Sequence, residues 1–180
     1  MHERRFQGKA DRLRSDERIA RLEVDRVVES CLAGPRIQSV LDVGIGTGVF
    51  AAAFAALGVA VTGIDPNPDL LELARRYVPR AELREATAEQ LPFGDDAFDL
   101  VFLGHVLHEV DDARKALTES RRVAAMRVSI LEWPYLSEAQ GPPLAHRLAP
   151  EIIEDMARSV GYRQIDRGNL TYMVLYHLLP

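Results

Sequence analysis

Three glycines that follow a short apolar run form the most suggestive chemical pattern in this sequence. The stretch VLDVGIGTGVF, residues 40–50, contains Gly44, Gly46 and Gly48, and glycines let a backbone pass close to a ligand. Val49 stands where a dinucleotide loop, G-x-G-x-x-G, has its last glycine, and no lysine follows as in a G-x-x-x-x-G-K-[ST] phosphate loop. A tight strand-to-helix turn without a ligand is the alternative interpretation.

Two aspartates near this loop indicate the charge of its ligand. Asp42 lies two residues before the first glycine, and Asp65 ends the next apolar run. A carboxylate at the mouth of the loop repels a pyrophosphate and attracts a cation. An acidic residue at the position of Asp65 can accept hydrogen bonds from both hydroxyls of a ribose. The pattern therefore predicts a ligand with a ribose and a positive charge but without phosphates.

A second set of residues could accept a proton. His105 and His108 follow the apolar run at 98–103, and Glu132 ends the run at 127–131; Glu109 is a further candidate. Imidazole and carboxylate groups are the usual general bases in enzymes. Other roles stay open: structural hydrogen bonds of the histidines, an ion pair of Glu132 with an arginine such as Arg147, or a metal site built from both histidines and one of the two glutamates.

The elements that must position these residues alternate between strand and helix. Helices are predicted at 16–32, 49–57, 69–77, 112–123 and 150–160, and strands at 39–43, 60–64, 81–85, 98–103, 127–131, 162–167 and 170–178. Such alternation predicts an α/β fold with a mostly parallel sheet covered by helices on both faces. The last two strands, joined only by Gly168 and Asn169, must be antiparallel. We therefore expect a Rossmann-like three-layer αβα sandwich with seven strands and a C-terminal β-hairpin, whose ligand lies at the carboxyl ends of the strands.

Composition limits the class of protein and of partner. The chain has 180 residues, of which 47% are hydrophobic and 27% charged, as in an ordinary globular domain. Its net charge of −5 argues against nucleic acid as the main partner. No apolar run approaches the roughly 20 residues that span a bilayer, and the first residues lack the apolar segment of a secretory signal. A cytoplasmic location is expected. Cys31 is the only cysteine and is predicted to be a packed thiol.

Three ordered motifs resemble the class I S-adenosylmethionine-dependent methyltransferases. They are VLDVGIGTGVF, then VTGIDPNPDLLELAR at 61–75, then AEQLPFGDDAFDLVFLGHVLHEVDD at 88–112. The branch that they resemble contains the ubiquinone- and menaquinone-biosynthesis-type enzymes and other small-molecule methyltransferases. The resemblance covers residues 39–132 well and extends more loosely to the C-terminus. S-adenosylmethionine, with a ribose, a sulfonium and an ammonium group, also has the features predicted from the two aspartates.

The resemblance implies a role for each matching residue. The three glycines would lie against the methionine part of the cofactor, Asp42 would accept from its ammonium group, and Asp65 would hold the ribose hydroxyls. The remaining cofactor-binding residues would be Pro66, Asn67, Thr87, Ala88, Glu89, Gly104 and His105. Thr87 departs from the family, which often has an aspartate there for the adenine amino group. The catalytic candidates remain His105, His108 and Glu132.

The resemblance also implies one methyltransferase domain over residues 1–180, with a small-molecule acceptor. The segment at 133–149 is expected to shape the acceptor site through Trp133, Tyr135 and the rigid stretch 141–143, or else to be surface packing. Residues 1–35 are interpreted as an N-terminal helical extension that folds over the cofactor as a lid. The first fifteen residues are strongly positive through Arg4, Arg5, Lys9, Arg12 and Arg14, which indicates a solvated flexible tail or a local basic patch.

Two functions of other classes compete with a methyltransferase. A non-catalytic regulatory protein that binds S-adenosylmethionine or S-adenosylhomocysteine would need the same cofactor residues but no acceptor site. A nicotinamide-dependent oxidoreductase would need a dinucleotide loop, which the glycine spacing and Asp42 argue against.

Overall fold

A computed structural model of the chain describes residues 13–179 and confirms the predicted alternation of elements. The helices are α1 (Asp16–Leu22), α2 (Val24–Leu32), α3 (Val49–Ala56), α4 (Pro68–Tyr77), α5 (Ala113–Val123) and α6 (Pro150–Ser159). The strands are β1 (Ser39–Val43), β2 (Ala60–Asp65), β3 (Glu82–Glu85), β4 (Phe98–Gly104), β5 (Ala124–Glu132), β6 (Gln164–Asn169) and β7 (Val174–Leu179). Within this part of the chain no helix is long and apolar enough to cross a membrane.

All seven strands form one sheet in the order β3-β2-β1-β4-β5-β7-β6. The first five strands of this order are parallel to one another, whereas β7 is antiparallel to both β5 and β6. This is the predicted α/β sheet with its C-terminal hairpin. The order of the strands reverses between β1 and β4, and the carboxyl ends of these two strands form the crevice in which such sheets bind ligands.

Alternating side chains of the central strands pack into two cores, one on each face of the sheet. Leu41 and Leu103 belong to the core beneath α5 and α6, whereas Val40 and Phe102 belong to the core beneath α2, α3 and α4. The two faces alternate because successive side chains of a strand point to opposite sides. The result is the expected three-layer arrangement, which holds the carboxyl ends of the strands in place.

The single helix predicted at 16–32 is in fact two helices. Glu23 separates α1 from α2 with a left-handed backbone conformation, φ +46°. Its carboxylate accepts hydrogen bonds from the backbone N–H of Thr171 (2.7 Å) and from the Thr171 hydroxyl (3.0 Å). Because Thr171 is 148 residues away in the chain, the contact that accompanies this break is invisible to a local helical pattern.

The hairpin turn also differs from the prediction. Gly168 and Asn169 belong to β6 and pair with Leu175 and Val174 of β7, so residues 170–173 form the connection. The turn lies later in the chain than predicted because Gly168 and Asn169 both pair with β7 instead of reversing the chain.

Candidate functional site

The predicted site residues surround a cavity of about 970 Å³ at the carboxyl ends of β1, β2 and β4. Ten of the predicted residues line it: Gly44, Asp65, Pro66, Asn67, Thr87, Ala88, Glu89, Gly104, His105 and His108. Asp42 lines an adjoining recess of about 60 Å³, which also contacts Gly44, Gly104 and His105. Gly46 and Gly48 line neither space, and Glu132 lies behind His108.

The glycine loop lies close against the segment that follows β4. Gly44 has a φ of +67°, and a Cβ added there would lie 2.4 Å from Cγ2 of Val106. The N–H of Ile45 donates to the carbonyl of Ile64 (2.9 Å). Glycine at position 44 therefore permits both the backbone conformation and the close approach to Val106.

Asp65 organises the turn at the end of β2. Its two carboxylate oxygens accept from the N–H groups of Gly46 (2.9 Å) and Asn67 (2.9 Å), and Asn67 in turn caps α4 by accepting from Asp69 N–H. An ionised carboxylate has about four acceptor sites. Asp65 therefore holds the glycine loop and also lines the cavity.

Asp42 is a buried carboxyl group at the base of the recess. Its burial, and then the charge of Asp65, raise its pKa to about 8. Near this carboxyl, the hydroxyl of Thr47 and both ring nitrogens of His105 are buried without a hydrogen-bond partner within residues 13–179. Buried polar atoms are normally paired. These orphaned atoms therefore fit a recess that receives a polar ligand group.

The loop after β3 forms the opposite wall of the cavity. Thr87 accepts from the N–H of Gln90 through its carbonyl (3.2 Å), and Oε1 of Glu89 accepts from the N–H of Asp111 (2.9 Å). Asp112 caps α5 by accepting from Lys115 N–H (3.0 Å), as its position before a helix predicts. Glu89 thus ties the wall of the cavity to the segment that begins α5.

His105 and His108 have opposite electrostatic environments. Burial and then the charge of Arg18 lower the pKa of His105 well below its ordinary value, and its ring contacts that of Trp133 at 4.9 Å between centroids. For His108, burial opposes the charged form, but the carboxylate of Glu132 outweighs it and raises the pKa. His105 therefore favours the neutral imidazole, whereas the pKa of His108 is raised above its ordinary value.

Glu132 is paired with His108 and makes no ion pair with Arg147. Nδ1 of His108 lies 2.8 Å from Oε2 and 3.0 Å from Oε1 of Glu132, and both side chains are buried. The backbone N–H groups of His108 (3.1 Å) and Trp133 (3.3 Å) also donate to this carboxylate. Within residues 13–179, no group of three or more histidine, cysteine, aspartate or glutamate side chains is placed to hold a metal ion.

Arg147 instead holds the segment after β5, residues 133–147, which we call the strap. Its guanidinium donates to the carbonyls of Pro142 (3.0 Å) and Pro134 (2.9 Å) and pairs with Glu138 (3.0 Å). It also stacks on Trp133, 5.3 Å from the ring centroid. Trp133, Gly141 and Pro142 of the strap line the cavity; Tyr135 is 47% exposed and does not.

Helix α1 and the two residues before Ser15 supply site residues that no sequence motif indicated. Arg18 lines both the cavity and the recess, and Arg21 lines the cavity. Arg14 donates to the carbonyl of Thr47 in the glycine loop (2.8 Å). An arginine in a charged amphipathic helix carries no local signal of a site, because only tertiary packing decides which face meets the cavity. Phe6 and the basic residues 4, 5, 9 and 12 lie outside the described residues.

Comparison with known proteins agrees with this architecture. Residues 41–127 match the family model described as a methyltransferase domain. A demethylmenaquinone methyltransferase of Chlorobaculum parvum is 38% identical over 91 residues, which cover 50% of this chain and 38% of that protein. The match thus spans well under half of the length of this curated relative.

Solved structures share the fold over almost the whole chain. A SAM-dependent methyltransferase from Aquifex aeolicus has a TM-score of 0.80 at 20% identity, covering 94% of this chain and 96% of that one. Magnesium protoporphyrin IX methyltransferase from Synechocystis, solved with bound SAH, has a TM-score of 0.71 at 16% identity and covers 89% and 83% of the two chains. Together with the family model, these likenesses show that residues 41–127 are similar to a methyltransferase domain, and that the chain has the fold of S-adenosylmethionine-dependent methyltransferases.

Proposed function

We propose that this protein binds S-adenosylmethionine and transfers its methyl group to a small-molecule acceptor. The observation that carries the proposal is the placement of two carboxylates at one sheet edge: Asp65 in the cavity and Asp42 in the adjoining recess. Asp65 suits a ribose diol, and Asp42 suits a cation. The glycine loop between them lacks the pattern of a phosphate site.

The recess suits the amino-acid end of the cofactor. Asp42 and Arg18 both line it, so a bound ammonium would favour the ionised form of Asp42 while a bound carboxylate meets the charge of Arg18. The hydroxyl of Thr47 and the ring of His105 add polar atoms that have no partner within the described chain. The residues present therefore fit a zwitterionic group.

The cavity suits the nucleoside and leaves room for an acceptor. Asp65 would hold the ribose hydroxyls, with Pro66 and Asn67 on one side of the adenine and Thr87 to Glu89 on the other. When bound, S-adenosylmethionine supplies a methyl group on a sulfonium, which is already a strong electrophile. The protein must then align the reactants and exclude water.

The acceptor would lie between α1, His108 and the strap. Trp133 and Pro142 provide apolar surface there, and His108 provides a polar group, as is usual for small-molecule sites. A curated relative named demethylmenaquinone methyltransferase supports an acceptor of this class.

Calorimetry tests the cofactor claim. The wild-type chain is titrated with S-adenosylhomocysteine and, separately, with NAD. We expect saturable heat with the first ligand alone, and Asp65→Ala should weaken that binding by about 10- to 100-fold because the ribose hydroxyls lose a charged acceptor, worth roughly 1.5–3 kcal/mol. Wild-type affinity in the variant would refute the role of Asp65, and binding of NAD alone would refute the proposal.

A screen of small acceptors with methyl-labelled cofactor tests transfer. Labelled product supports the enzyme, whereas binding without any transfer would favour the non-catalytic regulatory protein.

A further inference from the structure

We infer that His108 and Glu132 form a proton-accepting pair, and that the acceptor presents a weakly acidic hydroxyl group, as in a phenol or an enol. This inference rests on the proposed methyl transfer and specifies its acceptor class.

Glu132 is held in one position by three hydrogen bonds. Its oxygens accept from the His108 ring, from His108 N–H (3.1 Å) and from Trp133 N–H (3.3 Å). An ionised carboxylate is only an acceptor, so Nδ1 of His108 must carry the hydrogen of their 2.8 Å contact. In the neutral ring the lone pair is therefore on Nε2. Glu132 is a positioning residue that selects this tautomer, while His108 lines the cavity.

The charged groups around His108 favour the protonated ring once it has formed. Glu132 approaches from β5, and Oε1 of Glu109 lies 3.7 Å from Nε2. Arg147 from the strap opposes them, and His105 is the other titratable group nearby. Because two carboxylates and only one guanidinium act on the ring, the net electrostatic effect favours protonation of His108. His108 can therefore hold the proton that an acceptor releases.

His105 is less suited to this role although it lies beside Gly104. No carboxylate orients its ring within residues 13–179, because neither of its nitrogens has a hydrogen-bond partner there. Burial and Arg18 hold its pKa well below the ordinary value, which makes it a weak base. We assign His105 to the recess and the base to His108.

Methyl transfer to a hydroxyl acceptor moves a proton to His108 and a methyl group to the acceptor oxygen. The acceptor O–H bond breaks, and its proton joins the lone pair on Nε2 of His108. An electron pair of the acceptor oxygen forms the new bond to the methyl carbon, and the pair of the broken carbon–sulfur bond stays on sulfur, giving a neutral thioether. His108 becomes an imidazolium beside Glu132 and later returns its proton to water.

A hydroxyl acceptor explains why a buried base is present at all. A neutral amine already has a free lone pair and needs no base before attack. A phenol, with a pKa of about 10, becomes a much better nucleophile when it loses its proton. A base whose pKa lies near the working pH is effective in removing such a proton.

Binding of 4-nitrophenol to the complex with S-adenosylhomocysteine tests the pair without turnover. This phenol absorbs visible light only as the phenolate, so the spectrum reports directly whether bound phenol has lost its proton. At a pH below the pKa of free 4-nitrophenol, we expect a saturable phenolate signal with the wild type. His108→Gln should abolish that signal, since glutamine can neither take up the proton nor hold the phenolate beside a positive charge.

A variant of Glu132 and a control variant test whether the signal depends specifically on the His108–Glu132 pair. Glu132→Gln should reduce the phenolate signal several-fold, because the pKa of His108 falls when the paired charge is removed. Nitrogen NMR of the His108 ring in the same variant should show this lower pKa and a mixture of tautomers, which a purely structural role of Glu132 would not produce. Glu154→Gln on α6, outside the cavity lining and the strap, is the matched control for Glu132→Gln and should leave the signal intact.

Affinity for S-adenosylhomocysteine, measured on every variant, separates failure of this inference from failure of the proposed function. Unchanged affinity in His108→Gln shows that the variant is folded. A wild type that binds S-adenosylhomocysteine but gives no phenolate signal would overturn the inference alone. Loss of the signal in Glu109→Gln with retention in His108→Gln would also overturn it. No binding of S-adenosylhomocysteine to the wild type would overturn the proposed function itself.

Discussion

At the scale of single residues, Asp42 illustrates how a binding group costs stability. Its pKa of about 8 in the folded chain is far above that of an exposed aspartate, because burial and then Asp65 oppose its charge. Between roughly pH 4 and pH 8 the unfolded state therefore binds fewer protons than the folded state, and the free energy of unfolding falls as pH rises through this window. A bound ammonium group would offset that penalty.

Asp42→Asn should therefore stabilise the fold and weaken cofactor binding. We expect a gain in unfolding free energy on the order of 1–3 kcal/mol near neutral pH and little gain near pH 4, with at least a tenfold loss of affinity for S-adenosylhomocysteine. Urea unfolding of both proteins at several pH values, with calorimetry, measures the two effects. Equal pH dependence of stability in the two proteins would show that Asp42 is ionised when buried.

At the scale of elements, the strap depends on one buried cation. Arg147 is bound to the carbonyls of Pro134 and Pro142, so it spans the strap, and its ring contact with Trp133 fixes the wall of the cavity. Trp133 and Pro142 line the cavity on the side where the acceptor is proposed to bind. A substitution of Arg147 should therefore disturb the acceptor side of the cavity more than the residues around Asp65.

Arg147→Ala should raise KM for the acceptor more than it changes affinity for the cofactor. The variant loses several hydrogen bonds and the partner of Glu138, which we expect to cost about 2–4 kcal/mol of stability. Thermal unfolding gives the stability change, and steady-state kinetics separates KM from kcat. Arg158→Ala on the exposed face of α6 removes only exposed ion pairs and is the control. Equal losses in acceptor KM and cofactor affinity would contradict a local role for the strap.

At the scale of the whole molecule, the site is assembled from segments that lie far apart in the chain. The carboxyl ends of β1, β2 and β4 form its floor, while α1 and the strap close it from the other side. Gln140 of the strap donates to Glu17 of α1 (3.2 Å). Helix α1 and the strap are therefore in contact with each other, and both line the cavity.

Binding of S-adenosylhomocysteine should slow amide hydrogen exchange in both α1 and the strap. We expect slower amide hydrogen exchange in residues 13–22 and 133–142, because a ligand in the cavity disfavours their opening. Residues 150–169, which contain α6 and β6 and do not line the cavity, provide the internal control. Protection confined to the glycine loop would mean that α1 and the strap do not respond to the ligand.

The sequence by itself determined the fold and the cofactor edge of the site. The positions of the strands and helices followed from hydrophobic periodicity and from glycine and proline punctuation, which are local properties. Asp42, Gly44 and Asp65 could be assigned to one edge because parallel strands bring their carboxyl ends together. The roles of these residues toward S-adenosylmethionine remain predictions, as do the small-molecule acceptor and the lid formed by residues 1–35.

Only the tertiary structure decided which side chains meet across the site. The partner of Glu132 is His108 rather than Arg147, the break at Glu23 faces Thr171, and Arg18 of α1 lines the recess of Asp42. These residues are separated by 24 to 148 positions along the chain, and no local pattern encodes such distances. Pairing of this kind is set by how helices pack on the sheet and how the connections cross its edge, so it emerges only when the chain has folded.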